Sequence, residues 1–204
     1  MLINVLKRLY HHKLGYELRN CRRVLDVGCG NSSIIGKIPG TFYSVGVDGW
    51  EPYIAESKKK GIHNEYITAD ITKLSFPKRS FDAVICFDVV EHLEKAVSEK
   101  LVENMEYWAS KKIIIATPNG FLPTSACHQE MRAHHDGNVE FQNHKCGWEV
   151  DEFTAKGYRV YGLDGLKCLR EAKNVAGKFL YHLSYPIGYF FPKHAFRLLA
   201  VKDL

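Results

Sequence analysis

The chain has 204 residues, 46% of them hydrophobic and 25% charged, which is enough length and apolar content for one sizeable core. Those proportions exclude a disordered or fibrous chain, and a net charge of +5 is too small by itself to indicate a nucleic-acid partner. No apolar run reaches the roughly 18 residues of a membrane span, and Lys7 and Arg8 interrupt the first run before it forms the apolar stretch of a signal peptide.

In chain order, residues 1–20 carry Val5, Leu6, Leu9, Leu14 and Leu18 near helical spacing, which predicts an amphipathic helix. Strands are predicted from Val24 (VLDVG), over Tyr43–Val47, Glu65–Ala69, Asp82–Phe87, Lys112–Pro118 and Tyr158–Leu163, and in the closing AFRLLAVKDL. Helices are predicted from Ser32 or Ser33, over Pro52–Lys60, over Val89–Ala109 and over Glu149–Lys156. The strands are continuous apolar runs, as when both faces of a parallel sheet are covered. The expected fold is α/β, a doubly wound, seven-stranded and mostly parallel sheet in one domain over residues 1–204. Two connections are long, Asn119–Cys146 and Asp164–His194, and the second (about residues 164–194) reads as a lid-like insertion. The six cysteines lack any CxxC pair, so zinc is not expected and the thiols read as reduced, in a cytoplasmic protein.

The first strand ends in VLDVGCGNSS. Gly28 and Gly30 allow a sharp turn and close approach of a ligand. A dinucleotide fingerprint would place a third glycine where Ser33 stands, and Asp26 would repel a pyrophosphate. An acid here suits a ligand with positive charge. About 20 residues on, Asp48 ends the second strand, where a carboxylate can accept from both ribose hydroxyls. Asp70 ends the third, placed to accept from the exocyclic amine of adenine. An ammonium, a ribose and an adenine together describe S-adenosyl-L-methionine.

The segments VLDVGCG, VGVD, ITADI, FDAVICFDVVEHL and IIIATPNG resemble, in order and spacing, the class I S-adenosylmethionine-dependent methyltransferases of the type 11 group. The resemblance runs from Val24 to about Gly120. It implies a Rossmann-like methyltransferase sheet with a final antiparallel strand. It also implies that Asp26 holds the amino group through water and that Gly28, Cys29 and Gly30 pass close to the methionine and ribose. Asp48 would take the ribose hydroxyls, Gly49 and Trp50 flank the adenine, Asp70 and Ile71 address its edge, and Phe87 lie beside the sulfonium.

A sulfonium methyl needs an aligned acceptor, and a hydroxyl or acidic carbon gains from a general base. His92 in DVVEHL and His144 in FQNHKCGW are the candidates, with Asp88 and Glu91 nearby. His128, Glu130, His134, His135 and Asp136 fit no zinc spacing, so no metal is expected and a polar substrate loop is the reading. In Asp164–His194, Phe179, Tyr181, Tyr185, Tyr189, Phe190 and Phe191 interleave with Lys178 and Lys193, with Arg197 just beyond. That pattern suits either a lid that buries its aromatics or, over 178–197, peripheral contact with a membrane. The expected acceptor is a small or lipid-like molecule, the product S-adenosyl-L-homocysteine. A non-catalytic binder of the same cofactor, an RNA methyltransferase and a nicotinamide-dependent oxidoreductase are the alternatives.

Overall fold

The computed structural model describes residues 2–38, 42–123, 143–170 and 174–204, the first eight of these as backbone. His128, Glu130, His134, His135 and Asp136 lie outside the described residues.

The chain runs through α1 (Leu2–Leu18), β1 (Arg23–Val27), β2 (Tyr43–Asp48), α2 (Glu51–Lys60), β3 (Glu65–Thr68), β4 (Phe81–Phe87), α3 (Lys95–Trp108) and β5 (Ala109–Pro118). It continues through α4 (Val150–Ala155), β6 (Arg159–Leu166), α5 (Val175–Leu183), α6 (Tyr185–Phe190) and β7 (Ala195–Asp203). The seven strands form one sheet in the order β3-β2-β1-β4-β5-β7-β6, mostly parallel with antiparallel C-terminal strands. β1 pairs in parallel with β2 on one side and β4 on the other, Asp26 standing opposite Gly46 and Ile85. Strand order reverses at β1, and in open α/β sheets ligands bind beyond the carboxyl ends of strands at such a point.

The described chain divides into two compact units. The first comprises Met1–Phe87, Leu101–Ile115 and Val201–Leu204. Its core is the apolar run of β1 (Val24, Leu25, Val27) and β4 (Ala83 to Cys86), with Leu14 and Leu18 of α1, Ile54 of α2 and Met105 of α3, all buried. The second comprises Asp88–Lys100 and Ala116–Ala200. There Trp148 stacks on Phe153 at 4.8 Å between ring centroids. The Trp148 indole N–H donates to the Ser98 hydroxyl, and the Lys95 ammonium lies 3.8 Å from the ring centre.

Two predicted helices differ in form. The one expected from Ser33 is a 3-10 turn, Ile34–Lys37, with the Ser33 hydroxyl capping the Ile35 amide. Gly36 stands inside that turn, where it lowers the preference for an α-helix. The helix expected over Val89–Ala109 begins only at Lys95, after a separate 3-10 turn at Val90–His92. β6 runs on to Leu166, so the expected insertion begins as sheet and continues as two short helices. The aromatics there are not buried as a set. Tyr181 is buried and Tyr185 and Tyr189 are half-buried, but Phe179, Phe190 and Phe191 are exposed, because short helices seated on a strand cover one face only.

Candidate functional site

The glycine loop is held by the end of β2. The Gly28 and Cys29 amides both donate to the Val47 carbonyl, at 2.8 and 2.9 Å. Gly28 and Gly30 take φ of 73° and 55°, the left-handed region that explains why glycine stands at each. Asp48 closes the arrangement: one carboxylate oxygen accepts the Gly30 amide at 2.9 Å, the other the Trp50 amide at 2.8 Å. Each oxygen retains a second lone pair for a ligand hydroxyl. Burial pushes the Asp48 carboxyl up, the two amides pull it back, the Asp26 charge raises it again, and the net position is above the ordinary carboxylate value.

Asp26, 2% exposed, accepts from the Ser33 hydroxyl. The same carboxylate oxygen lies 3.3 Å from Nε2 of His63, whose side chain is fully buried in the connection between α2 and β3. Room for that imidazole comes from Gly46: a Cβ there would lie 2.5 Å from the His63 ring. Asp26 is thus turned inward to Ser33 and His63. Sequence reading missed His63, since neither it nor Gly46 belongs to a recognisable spacing. Cys29 is buried, and burial pushes its thiol far up, which removes it as a nucleophile.

The other predicted contacts lie at the ends of β2, β3 and β4. Trp50 is half-buried at the head of α2, beside the exposed Gly49. Asp70 is exposed and caps the turn Ile71–Lys73, accepting both the Thr72 hydroxyl at 2.7 Å and its amide at 3.0 Å. Those hydrogen bonds hold its carboxyl below the usual value. Ile71 and Phe87 are half-buried.

A second cluster is built wholly within the other unit. Glu91 is buried in the turn after β4 and accepts from the Thr117 hydroxyl at 3.0 Å. Burial, and then the charge of Asp88, push its carboxyl up to about 8. Asp88 sits at φ 55° and binds the Arg197 guanidinium through both carboxylate oxygens, each at 2.6 Å. The His92 and His144 rings meet edge to face at 4.9 Å. Nδ1 of His92 faces the Asn143 carbonyl at 3.3 Å, and Nδ1 of His144 faces the Leu122 carbonyl at 2.7 Å. A carbonyl accepts only, so in the neutral form of either ring Nδ1 carries the proton and Nε2 the lone pair. Burial holds the His144 imidazole below its ordinary value, hence neutral near pH 7. Glu91, His92 and His144 can each offer an atom within 4.8 Å of the others, close enough to share one cation. The expectation of no metal rests on the absence of a zinc spacing, whereas this set joins EH to a histidine about 50 residues on.

Residues 25–108 match the family described as a methyltransferase domain. That stretch carries the methyltransferase domain. The stretch matched by that family includes Asp26, Asp48, Asp70, Phe87 and His92, while His144 lies beyond it. Among similar proteins is a ubiquinone biosynthesis O-methyltransferase of Rickettsia conorii, 28% identical over 54% of this chain and 37% of its own. Another is a tRNA (carboxymethyluridine(34)-5-O)-methyltransferase of Arabidopsis thaliana, 31% identical over 48% of this chain and 22% of its own. The chain thus aligns with well under half the length of these curated relatives. The solved structure of a SAM-dependent methyltransferase from Archaeoglobus fulgidus superposes with a TM-score of 0.61 at 19% identity, over 100% of this chain and 95% of that one. The methyltransferase fold therefore extends beyond the stretch matched by sequence.

Proposed function

We propose that the chain is an S-adenosyl-L-methionine-dependent methyltransferase acting on an oxygen of a small or lipid-like acceptor. One observation carries the donor: Asp48 closes the glycine loop from the end of β2 while keeping lone pairs for a ribose. Gly28, Cys29 and Gly30 would give the donor its close backbone, Gly49 and Trp50 would hold the adenine, Asp70 and Ile71 would address its edge, and Phe87 would line the pocket at the sulfonium. Asp26 acts on the donor's amino group through the loop it anchors with Ser33. The donor brings an already activated methyl group, and the protein's part is to bind and orient it. Both curated relatives are named as O-methyltransferases, which supports oxygen as the acceptor atom.

In this reading His92 and His144 use their Nε2 lone pairs in one of two exclusive ways: with Glu91 they would hold a divalent cation, or, with no cation bound, they would take the acceptor proton as bases. Such a cation would favour the ionised form of a bound hydroxyl.

Calorimetric titration tests the donor site. S-adenosyl-L-homocysteine is expected to bind and NADH not to, and Asp48→Ala to weaken that binding by about fivefold or more, as for loss of a hydrogen bond to a charged group. Unchanged affinity in Asp48→Ala would remove the ribose placement. Tight binding without turnover on phenolic, quinol and RNA acceptors would favour a non-catalytic binder.

A further inference from the structure

We propose that α5 and α6 together form a docking face for an anionic lipid bilayer, an inference independent of methyl transfer. The residues 174–194 contain no aspartate or glutamate and include Lys178, His182, Lys193 and His194. Val175, Phe179 and Leu183 recur at four-residue spacing along α5, on one face of the helix. All three are exposed, as are Leu180, Ile187, Phe190 and Phe191; Val175 is 85% and Phe190 74% exposed. A soluble surface seldom leaves so many large apolar side chains together without a use for them.

The opposite face explains why the apolar one stays outward. Tyr181, Ser184 and Gly188 are buried against β6. A Cβ added at Gly162 would lie 2.0 Å from the Gly188 carbonyl oxygen, and one at Gly165 would lie 2.4 Å from that of Tyr181. The helix backbones therefore rest directly on the strand, without an intervening layer of side chains. The Ser184 hydroxyl fixes the junction, donating to the Tyr181 carbonyl at 2.7 Å and accepting the Leu166 amide at 2.9 Å. Rotating either helix to bury its phenylalanines would break these contacts.

Chemistry selects the occupant. No helix among the described residues is long and apolar enough to cross a membrane, so the pair can only lie in an interface. Phenylalanines and leucines on such a face enter the boundary between headgroups and acyl chains. Lysines at its edge complement anionic headgroups, and the segment has no acid to repel them. Lys178 adjoins Phe179, and Lys193 follows Phe191 and pairs at 2.8 Å with Asp151, an exposed acid of α4.

The test is flotation of the full chain with phosphatidylcholine vesicles, with and without about 30 mol% phosphatidylglycerol. The wild-type chain is expected to float with the anionic vesicles and about tenfold less with the neutral ones. The triple variant Phe179→Ser, Phe190→Ser, Phe191→Ser should lose about tenfold in partitioning at an unchanged thermal midpoint. Lys178→Glu with Lys193→Glu, which leaves the apolar face intact, should lose binding to the anionic vesicles only. Absence of wild-type flotation would overturn the proposal, as would flotation unaffected by both variants. So would a dimer in light scattering that the serine variant converts to monomer, since a second copy would then cover the face.

Discussion

At the scale of single residues, a carboxylate as buried as Asp26 must be met by a partner, and the Ser33 hydroxyl donates to it, with the His63 ring 3.3 Å away. The aspartates stand out in the sequence because each lies at or close to the end of a strand, in a spacing that suits a nucleoside ligand. His63 was not, since its relation to Asp26 exists only once β2 and β3 are paired and Gly46 has made room for the ring. Glu91 shows the same limit: EH after a strand was visible, but the return of His144 beside it was not. If these three side chains share a cation, Mn2+ will bind the apo protein with an altered electron paramagnetic resonance spectrum. Glu91→Gln and His144→Ala should each weaken that binding by at least about tenfold, judged against the effect of losing even an outer-sphere partner. Equal Mn2+ affinity in all three proteins would dissolve the site.

At the scale of elements, strands read well and helix starts read poorly. Seven apolar runs in the sequence correspond to seven strands, because a strand covered on both faces leaves a dense local signature. The run from Val89 to Ala109 looked like one helix because apolar spacing continues through it. The chain instead spends residues 90–92 on a 3-10 turn and starts α3 at Lys95. That turn is what carries Glu91 inward to Thr117. The aromatics expected to be buried together are buried only in part, for a different reason: composition names aromatic side chains but not which face of a short helix will meet a strand. Gly162 and Gly165 decided that, and glycines inside an apolar strand signal close approach by another backbone.

At the scale of the molecule, the first unit is fastened by a charge network between distant parts of the chain, centred on the buried Glu17. The Lys112 ammonium in β5 contacts Glu17 of α1 and, at 2.8 Å, Asp203 of β7; Lys13 pairs with Glu17 at 2.7 Å. Burial pushes the Glu17 carboxyl up, but hydrogen bonds from Lys112 and Lys13, with their charges, outweigh it and hold it below the ordinary value of 4.5. A depressed carboxyl stabilises the fold above its unfolded value and loses that contribution as pH falls through its folded value. Glu17→Gln should therefore cost about 2 kcal/mol in urea unfolding near pH 7, less than a fully broken buried pair because Lys112 keeps Asp203. The two proteins should converge as pH falls below 4.5, and a gap constant with pH would deny Glu17 this role.

The thiols carry a consequence for kinetics. Cys21, Cys29 and Cys86 are buried in the first unit and Cys146 in the second, while Cys168 is exposed. In a Cys127→Ser chain under native conditions, a maleimide should modify Cys168 at once and the other four only when their surroundings open. Uptake followed peptide by peptide in a mass spectrometer then clocks each unit separately. Matching rates for Cys86 and Cys146 would mean that the two units open in a single event, and a faster Cys146 that the second unit breathes on its own.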